Sequence, residues 1–266
     1  MPSCIDHVVI VVRNLALASA AYTGAGFTVT PGGEHTGGAT HNALIAFGDG
    51  AYLELIAFRE PDLPQPHRWW PRLNRAEGLV DYAMLSSDLT SETTAIQRRG
   101  WAVPPPVDGG RERPDGRRIA WRSVMLQERV GESALPFLIE DVTEPALRVP
   151  GGAARAHQLG VQGIAGLTCL VTNLSESRMS MERLLGAKGA PVEAGIDGVE
   201  RAVRFDVGPH WLVLAEAASP ELGARVADLG AGPFELTLRG HAPAAPGSGE
   251  LLDVASLHHA RIWVGP

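Results

Sequence analysis

From Ile5 to Val12 the chain is almost wholly β-branched, and from Arg13 to Phe27 it changes to alanine-rich spacing that stops at Gly24 and Gly26. β-Branched runs favour strands and glycine closes helices, so the pattern predicts a strand followed at once by a helix. Two more apolar runs, Asn42 to Phe47 and Tyr52 to Phe58, flank the turn Gly48-Asp49-Gly50, and Phe27 to Thr30 makes a further short strand. The glycine-rich stretch Pro31 to Thr40 reads as a loop. The unit is strand, helix, three strands.

That order returns. Gly78 to Leu89 predicts a strand running into a helix over Thr90 to Arg99, and the turn-rich Pro104 to Gly116 precedes strands at Arg118 to Met125 and Leu135 to Asp141. A third pass gives a strand from Gly163, a helix over Ser175 to Leu185 with a stop at Gly186, and strands at Glu200 to Val207 and Trp211 to Ala215. A fourth is partial: Phe234 to Leu238 and Leu257 to Val264 read as strands around a loop at Gly240 to Glu250. The register follows from counting back from the leucine that opens each helix. His7 precedes Leu15, Asp81 precedes Leu89 and Gly166 precedes Leu174 by the same interval. Glu54 lies 47 residues after His7, and the same step from Gly166 reaches Val213, with Trp211 on Tyr52. The Pro/Gly/Ala-rich segment Glu144 to Gln162 is the predicted boundary between two tandem domains, residues 1–144 and 159–266.

Composition narrows the function classes. Over 266 residues the chain is 45% hydrophobic and 20% charged, a globular profile, and its net charge of -7 would be repelled by nucleic acid and by anionic membranes alike. No apolar run approaches the roughly 20 residues of a membrane span, and the first residues lack the character of a secretory signal, so a cytoplasmic protein is expected. Two cysteines without a CxxC pair, Cys4 and Cys169, exclude a thiolate zinc site and read as small buried hydrophobes.

His7 shares a strand face with Val9 and Val11, and Glu54 shares one with Tyr52 and Ile56, so each is a polar group on an otherwise apolar face. Imidazole with carboxylate is a ligand set suited to Zn, Fe, Mn, Co or Ni. The plainer reading makes His7 a hydrogen-bonded core histidine and Glu54 a satisfied carboxylate. The segments Ile5 to Val12, Gly32 to Phe58 and Leu135 to Glu140 resemble the glyoxalase-like family of the vicinal oxygen chelate superfamily. The resemblance implies an α+β fold in which strand-helix-three-strand modules form cupped mixed β-sheets in two tandem domains, the second degenerate. It also implies a divalent metal on His7 and Glu54, with Glu140 as a last-strand carboxylate.

The chain departs from the family where a second metal-binding His is expected, offering Asp81 or Tyr82 according to a one-residue choice of register, and Tyr82 is carried as a candidate substrate contact. In the second half Gly166 and Val213 leave no ligand. The loop from Gly32 to Asn42 crowds His35, Thr40, His41 and Asn42 beside the metal-bearing module, a pattern similar to the family's. His35 is the candidate general acid/base, since imidazole titrates near neutrality, and Thr40, His41 and Asn42 are candidate substrate contacts. Trp69 and Trp70 read as an aromatic corner, Arg111, Arg113, Arg117 and Arg118 as hairpin charges, and His258 and His259 as structural.

The expected function is a metal-dependent lyase, isomerase or dioxygenase acting on a small oxygenated organic substrate. The alternative is a metal-free binding protein of the antibiotic-sequestering, bleomycin-resistance type. The expected partner is a small molecule, with neither nucleic acid nor membrane, and a homodimer is allowed.

Overall fold

The β-branched run becomes β1 (Cys4–Val12), and Asn14 caps the helix α1 (Leu15–Gly24) by accepting from the Leu17 amide in this computed structural model, which describes residues 2–266. Next come β2 (Thr30–His35), β3 (Thr40–Ala46) and β4 (Tyr52–Phe58), then a short turn of helix, α2 (Trp70–Leu73). The second module supplies β5 (Gly78–Leu85), α3 (Leu89–Arg98), β6 (Val107–Glu112), β7 (Arg118–Met125) and β8 (Phe137–Asp141). These eight strands close into a barrel in the order β1-β4-β3-β2-β6-β7-β8-β5. β1 is parallel to β4 and antiparallel to β5, its counterpart in the second module.

Two glycine-rich stretches expected to be loops are strands, and they form the barrel's seam. β2 meets β6 over only Glu34 opposite Glu112 and His35 opposite Arg111. Glycine is required at Gly33, at φ 139°, because a Cβ there would stand 1.8 Å from the Glu112 carbonyl oxygen, and a Cβ on Gly32 would displace the Asn42 side chain. Backbone proximity, not side-chain pattern, makes these strands.

The second half forms an open sheet. Its elements are β9 (Gly163–Val171), α5 (Leu174–Leu185), β10 (Ala190–Pro191), β11 (Val199–Val207), β12 (His210–Ala217), α6 (Pro220–Leu229), β13 (Gly232–Arg239), β14 (Glu250–Leu251) and β15 (Arg261–Val264), ordered β10-β11-β12-β9-β13-β15-β14. Helix α6, capped by Ser219 with Pro220 at its first position, was not legible as a helix with Gly223 inside it and Gly230 at its end. His258 and His259 are not on a strand; both sit in a left-handed turn at φ of 53° and 62°, where His258 Nδ1 meets Glu77 at 2.9 Å.

One apolar core joins barrel and sheet. Val8, Ile10, Val12 and Tyr82 on the outer face of the barrel pack in the same buried cluster as Leu167, Cys169, Leu212 and Leu236 of the sheet. The predicted linker is not loose. It holds α4 (Pro145–Arg148) and a 3-10 turn at Gly152–Arg155, and returns across the barrel, where His157 accepts from the Thr28 amide and bonds the Ala46 carbonyl at 3.0 Å each. Among the described residues no helix is long and apolar enough to cross a membrane. Both cysteines are free, Cys169 buried and Cys4 half-buried.

Candidate functional site

Strand register decides which side chains reach the barrel interior. His7 lies opposite Tyr52 on β4 and Ala83 on β5, while Val9 lies opposite Glu54 and Asp81. Side chains directly opposite one another share a face, so His7, Tyr52, Glu54 and Asp81 all belong to the inner one. The approximate two-fold between the modules takes His7 to Asp81 and Val9 to Ala83. Because Val9 faces Glu54 and Ala83 faces Phe137, the counterpart of Glu54 is Phe137. The four equivalent inward positions are therefore His7, Glu54, Asp81 and Phe137.

Three sequence candidates fall outside. Tyr82 lies opposite Val8, points away from the barrel and donates to the Ala134 carbonyl at 2.8 Å, so Asp81 is the residue that faces inward. Glu140 is also outward. Phe137 and Ile139 take the inner face, which leaves the carboxylate between them and the strand end to pair with Arg122. His41 lies opposite Ala57 and Glu34 on the outer face of β3, away from the cavity that Thr40 and Asn42 line.

Inside, a chain of polar contacts holds His7. Register slips between Ile5 and His7, so Asp6 and His7 are both buried. Arg148 grips Asp6 with two hydrogen bonds of 2.7 and 2.8 Å, reaches Asp141 at 2.5 and 2.9 Å, and donates to the Tyr52 hydroxyl at 2.9 Å. Burial alone would raise the Asp6 pKa, but Arg148 and His7 reverse this and hold the carboxyl well below the usual range. Asp6 can then only accept, so His7 donates from Nδ1 across 2.6 Å and its Nε2 is left facing inward. The imidazole stacks on the Tyr52 ring at 4.5 Å.

His7 Nε2 stands 3.6 Å from Glu54 Oε2, and His35 Nε2 stands 3.4 Å from Glu54 Oε1. His35 is anchored through Nδ1 to Thr40 Oγ1 at 2.9 Å. Asn42 donates to Glu54 Oε1 at 2.5 Å and accepts from Arg111 at 3.2 Å. Burial works to raise the Glu54 pKa, but His35, His7 and Asn42 outweigh it and bring it down to about 2. Thus His7, His35, Thr40, Asn42 and Glu54, singled out from sequence, meet at one place.

They open on a cavity of about 270 Å³ walled by Tyr52, Trp69, Trp121, Phe137, Ile56 and Ile139. Its size is at the low end for ligand pockets, which suits a small molecule. Sequence reasoning missed Arg148, placed in the supposed linker, and His67 and Arg68, placed in the loop before α2. It also set Arg111 among solvated charges, whereas Arg111 is buried and bonds the Arg148 carbonyl at 2.6 Å. Burial, with the charges of His35 and Arg68, lowers His67 to about 4, so it is neutral at pH 7. Trp69 lines the cavity and donates from its indole to Asp81 at 2.9 Å. Burial raises the Asp81 pKa despite Arg68 and that indole.

The second sheet repeats the register without the chemistry. Trp211 lies opposite Gly166 as Tyr52 lies opposite His7, and Val213 opposite Thr168 as Glu54 opposite Val9. Glu235 and Trp263 then take the places of Asp81 and Phe137. The Trp211 ring fills the space above Gly166, within 2.1 Å of where a Cβ would be, and its indole donates to the Ala244 carbonyl. Only Glu235 retains an ionisable group, and Arg261 pairs with it at 2.7 Å.

Residues 5–185 match the model of the glyoxalase-like domain family. No curated protein sequence is significantly similar. Among solved structures, a hypothetical protein from Staphylococcus aureus superposes with a TM-score of 0.69 at 13% identity over 98% of both chains. A triple mutant of 4-hydroxymandelate synthase from Streptomyces coelicolor gives 0.57 at 13% identity, covering 90% of this chain and 71% of that one. A fusion of a xylose isomerase-like TIM barrel with 4-hydroxyphenylpyruvate dioxygenase gives 0.54 at 13% identity, covering 90% of this chain and 36% of the other. At such identity these neighbours speak for the fold alone.

The superfamily's dioxygenases commonly use a divalent metal, so the donors need testing against one. The gaps of 3.4 and 3.6 Å exceed the usual N–H···O range. Donors bound to one ion at about 2.1 Å lie roughly 3.0–3.5 Å from one another, close to what is seen. His7 Nε2 faces a carboxylate oxygen while its Nδ1 is committed as a donor, so a cation or a second proton is needed between them. The donor types fit a divalent ion. Among the described residues, however, no three His, Cys, Asp or Glu side chains are drawn into a ready-made cage, and Asp81 is turned onto Trp69 and Arg68.

Proposed function

The chain belongs to the glyoxalase-like domain family, and from that premise we propose that its amino-terminal barrel is the active site of a metal-dependent enzyme acting on a small oxygenated organic molecule. His7, His35 and Glu54 would supply its donors, a two-histidine, one-carboxylate set of the kind that suits Fe and related ions, and they would have to draw closer together around it than they stand here. The observation that carries this reading is the pair of imidazole Nε2 atoms aimed at opposite oxygens of one buried carboxylate, each ring fixed through its Nδ1. This moves His35 from proton carrier to ligand. When bound, such an ion supplies Lewis-acid polarisation of a carbonyl or enediolate oxygen.

The rest falls to the chain's own groups. Asp6 fixes the His7 tautomer, Arg148 fixes Asp6, and Asn42 orients Glu54. The aromatic walls exclude water and seat the apolar part of a substrate. Among reaction classes dioxygenase chemistry comes first in this reading, because one protein of the same fold is named for it.

Metal analysis of the purified protein, with melting temperatures across Zn, Mn, Co, Ni and Fe, tests the proposal. One ion per chain is expected, and saturation at a hundred times its Kd adds about 2.7 kcal/mol of stability. Glu54→Gln should abolish most of that gain. A melting temperature indifferent to every ion sinks the metal reading. It would favour the metal-free binding protein, a reading supported by the unformed cage and by the way Asn42 already occupies Glu54.

A further inference from the structure

The cavity holds three arginines, and they are not alike. Arg148 spends its donors on Asp6, Asp141 and Tyr52, and Arg111 bonds Asn42 and the Arg148 carbonyl. Arg68 has no such network. Its Nη1 touches only the Met125 sulfur, and its Nε and Nη2 are buried without a hydrogen-bond acceptor. Asp81 lies 3.1 Å from Nη2, off line for a hydrogen bond, and already receives the Trp69 indole and the Tyr82 amide. Asp81 thus balances the charge but leaves two donors unsatisfied, and a turn of the side chain towards an anion in the cavity it lines would give them an acceptor.

Its position says what such an anion is attached to. Arg68 lies over the Phe137 ring at 6.0 Å, and His7 meets the same ring edge-on at 5.4 Å. Phe137 stands where the module's second carboxylate would be, so an apolar ring separates the His7 end of the cavity from the Arg68 end. A ligand spanning both has a charged group at one end, an oxygen function at the other, and an apolar body against Tyr52, Trp121 and Phe137. A planar guanidinium matches a carboxylate.

We propose that the cavity binds a small organic acid with an apolar or aromatic body, and that Arg68 holds its carboxylate. This rests on the reading of the barrel as a substrate site, but not on the metal. The test therefore uses the full chain stripped of metal by a chelator. Phenylacetate and hydrocinnamate are titrated by calorimetry beside their amides, which keep the shape and lose the charge. We expect each acid to bind at least ten-fold tighter than its amide, about 1.4 kcal/mol. Arg68→Gln should erase the preference, Arg68→Lys should keep part of it, and Asp81→Asn, which removes the competing carboxylate, should strengthen it. Equal binding of acid and amide by the unaltered protein, no saturable binding of either acid, or a preference that survives Arg68→Gln in a folded variant would each overturn the proposal. A melting temperature that rises with metal beside an acid-to-amide ratio of one removes this inference and leaves the metal reading standing. The reverse pattern removes the metal alone.

Discussion

Arg148 offers the sharpest test of how the site is held. It comes from the connecting segment yet reaches the first strand, and its side chain is 4% exposed. Replacing it by Met keeps the length and apolar stem but removes five hydrogen bonds, two to Asp6, two to Asp141 and one to Tyr52. The cost lies in what is left behind. Asp6 stays buried, and breaking one side of a buried ion pair costs about 3–5 kcal/mol because the remaining charge is uncompensated. For a chain of this size that lowers the melting temperature by on the order of 10 °C. Adding Asp6→Asn removes the stranded charge, so the double variant should recover about 1–3 kcal/mol relative to the sum of the single ones. Urea denaturation followed by far-ultraviolet circular dichroism measures both. The functional consequence is separable: with Asp6 freed, His7 loses its fixed tautomer and metal affinity should fall about 10–100-fold in the folded fraction. An Arg148→Met protein within about 1 kcal/mol of the original, or a double variant whose losses simply add, would refute the claim that this clamp organises the site.

Acid stability follows from Glu54. Its pKa is about 2 in the folded chain against 4.5 for an unperturbed Glu, so its contribution is complete above about 4.5 and is lost as pH falls from there towards 2. Denaturation midpoints measured down that range should fall more steeply for the original protein than for Glu54→Gln, and parallel curves would contradict this. In the second sheet, Gly166→Ala sets a Cβ 2.1 Å from the Trp211 ring and 2.3 Å from its carbonyl oxygen, so a loss of about 1–3 kcal/mol or more is expected in thermal unfolding. An unchanged melting temperature would mean that Trp211 is not confined there. Residues 1–150 expressed alone would expose Val8, Ile10 and Tyr82, which the sheet now covers, and should be poorly soluble by light scattering. A soluble, stable monomer would show that the barrel stands without the sheet.

The repeat was legible because helices and glycine stops mark its phase. Counting back from Leu15, Leu89 and Leu174 aligned β1, β5 and β9, and the observed pairing of Trp211 with Gly166 reproduces that of Tyr52 with His7. Alternation along a strand then marked His7 and Glu54 each as a polar group on an otherwise apolar face, and the strand register turns both faces inward. What was not legible has three physical causes. β2 and β6 are strands because their backbones approach closely enough to close a barrel, and glycine permits this without announcing it in a hydrophobic pattern. Arg148, Arg68 and His67 act from segments with no periodicity, so nothing local indicates which face they reach. The one-residue choice between Asp81 and Tyr82 is of a third kind. A shift by one residue exchanges the faces of a strand, and only the partner across the ladder decides which is inward.

The two halves answer the same geometric problem in opposite ways. In the barrel, the inward position beside the central strand pair holds an imidazole stacked on Tyr52, and space remains in front of it. In the sheet that position is Gly166, and the larger Trp211 collapses into the room so released, with Ala165, Val213, Phe234 and Ala244 packed around it. The exchange is coupled. A histidine at Gly166 could not coexist with Trp211, and a glycine at His7 would leave Tyr52 without its stacking partner and Asp6 without one of its three donors. Glycine in one copy is therefore matched by a larger neighbour that packs into the room, and histidine in the other comes with a clamp, Arg148, that holds the buried charge beside it. That clamp comes from the strap joining the halves, so the strap holds the barrel's buried polar cluster in place while the sheet covers the barrel's outer wall.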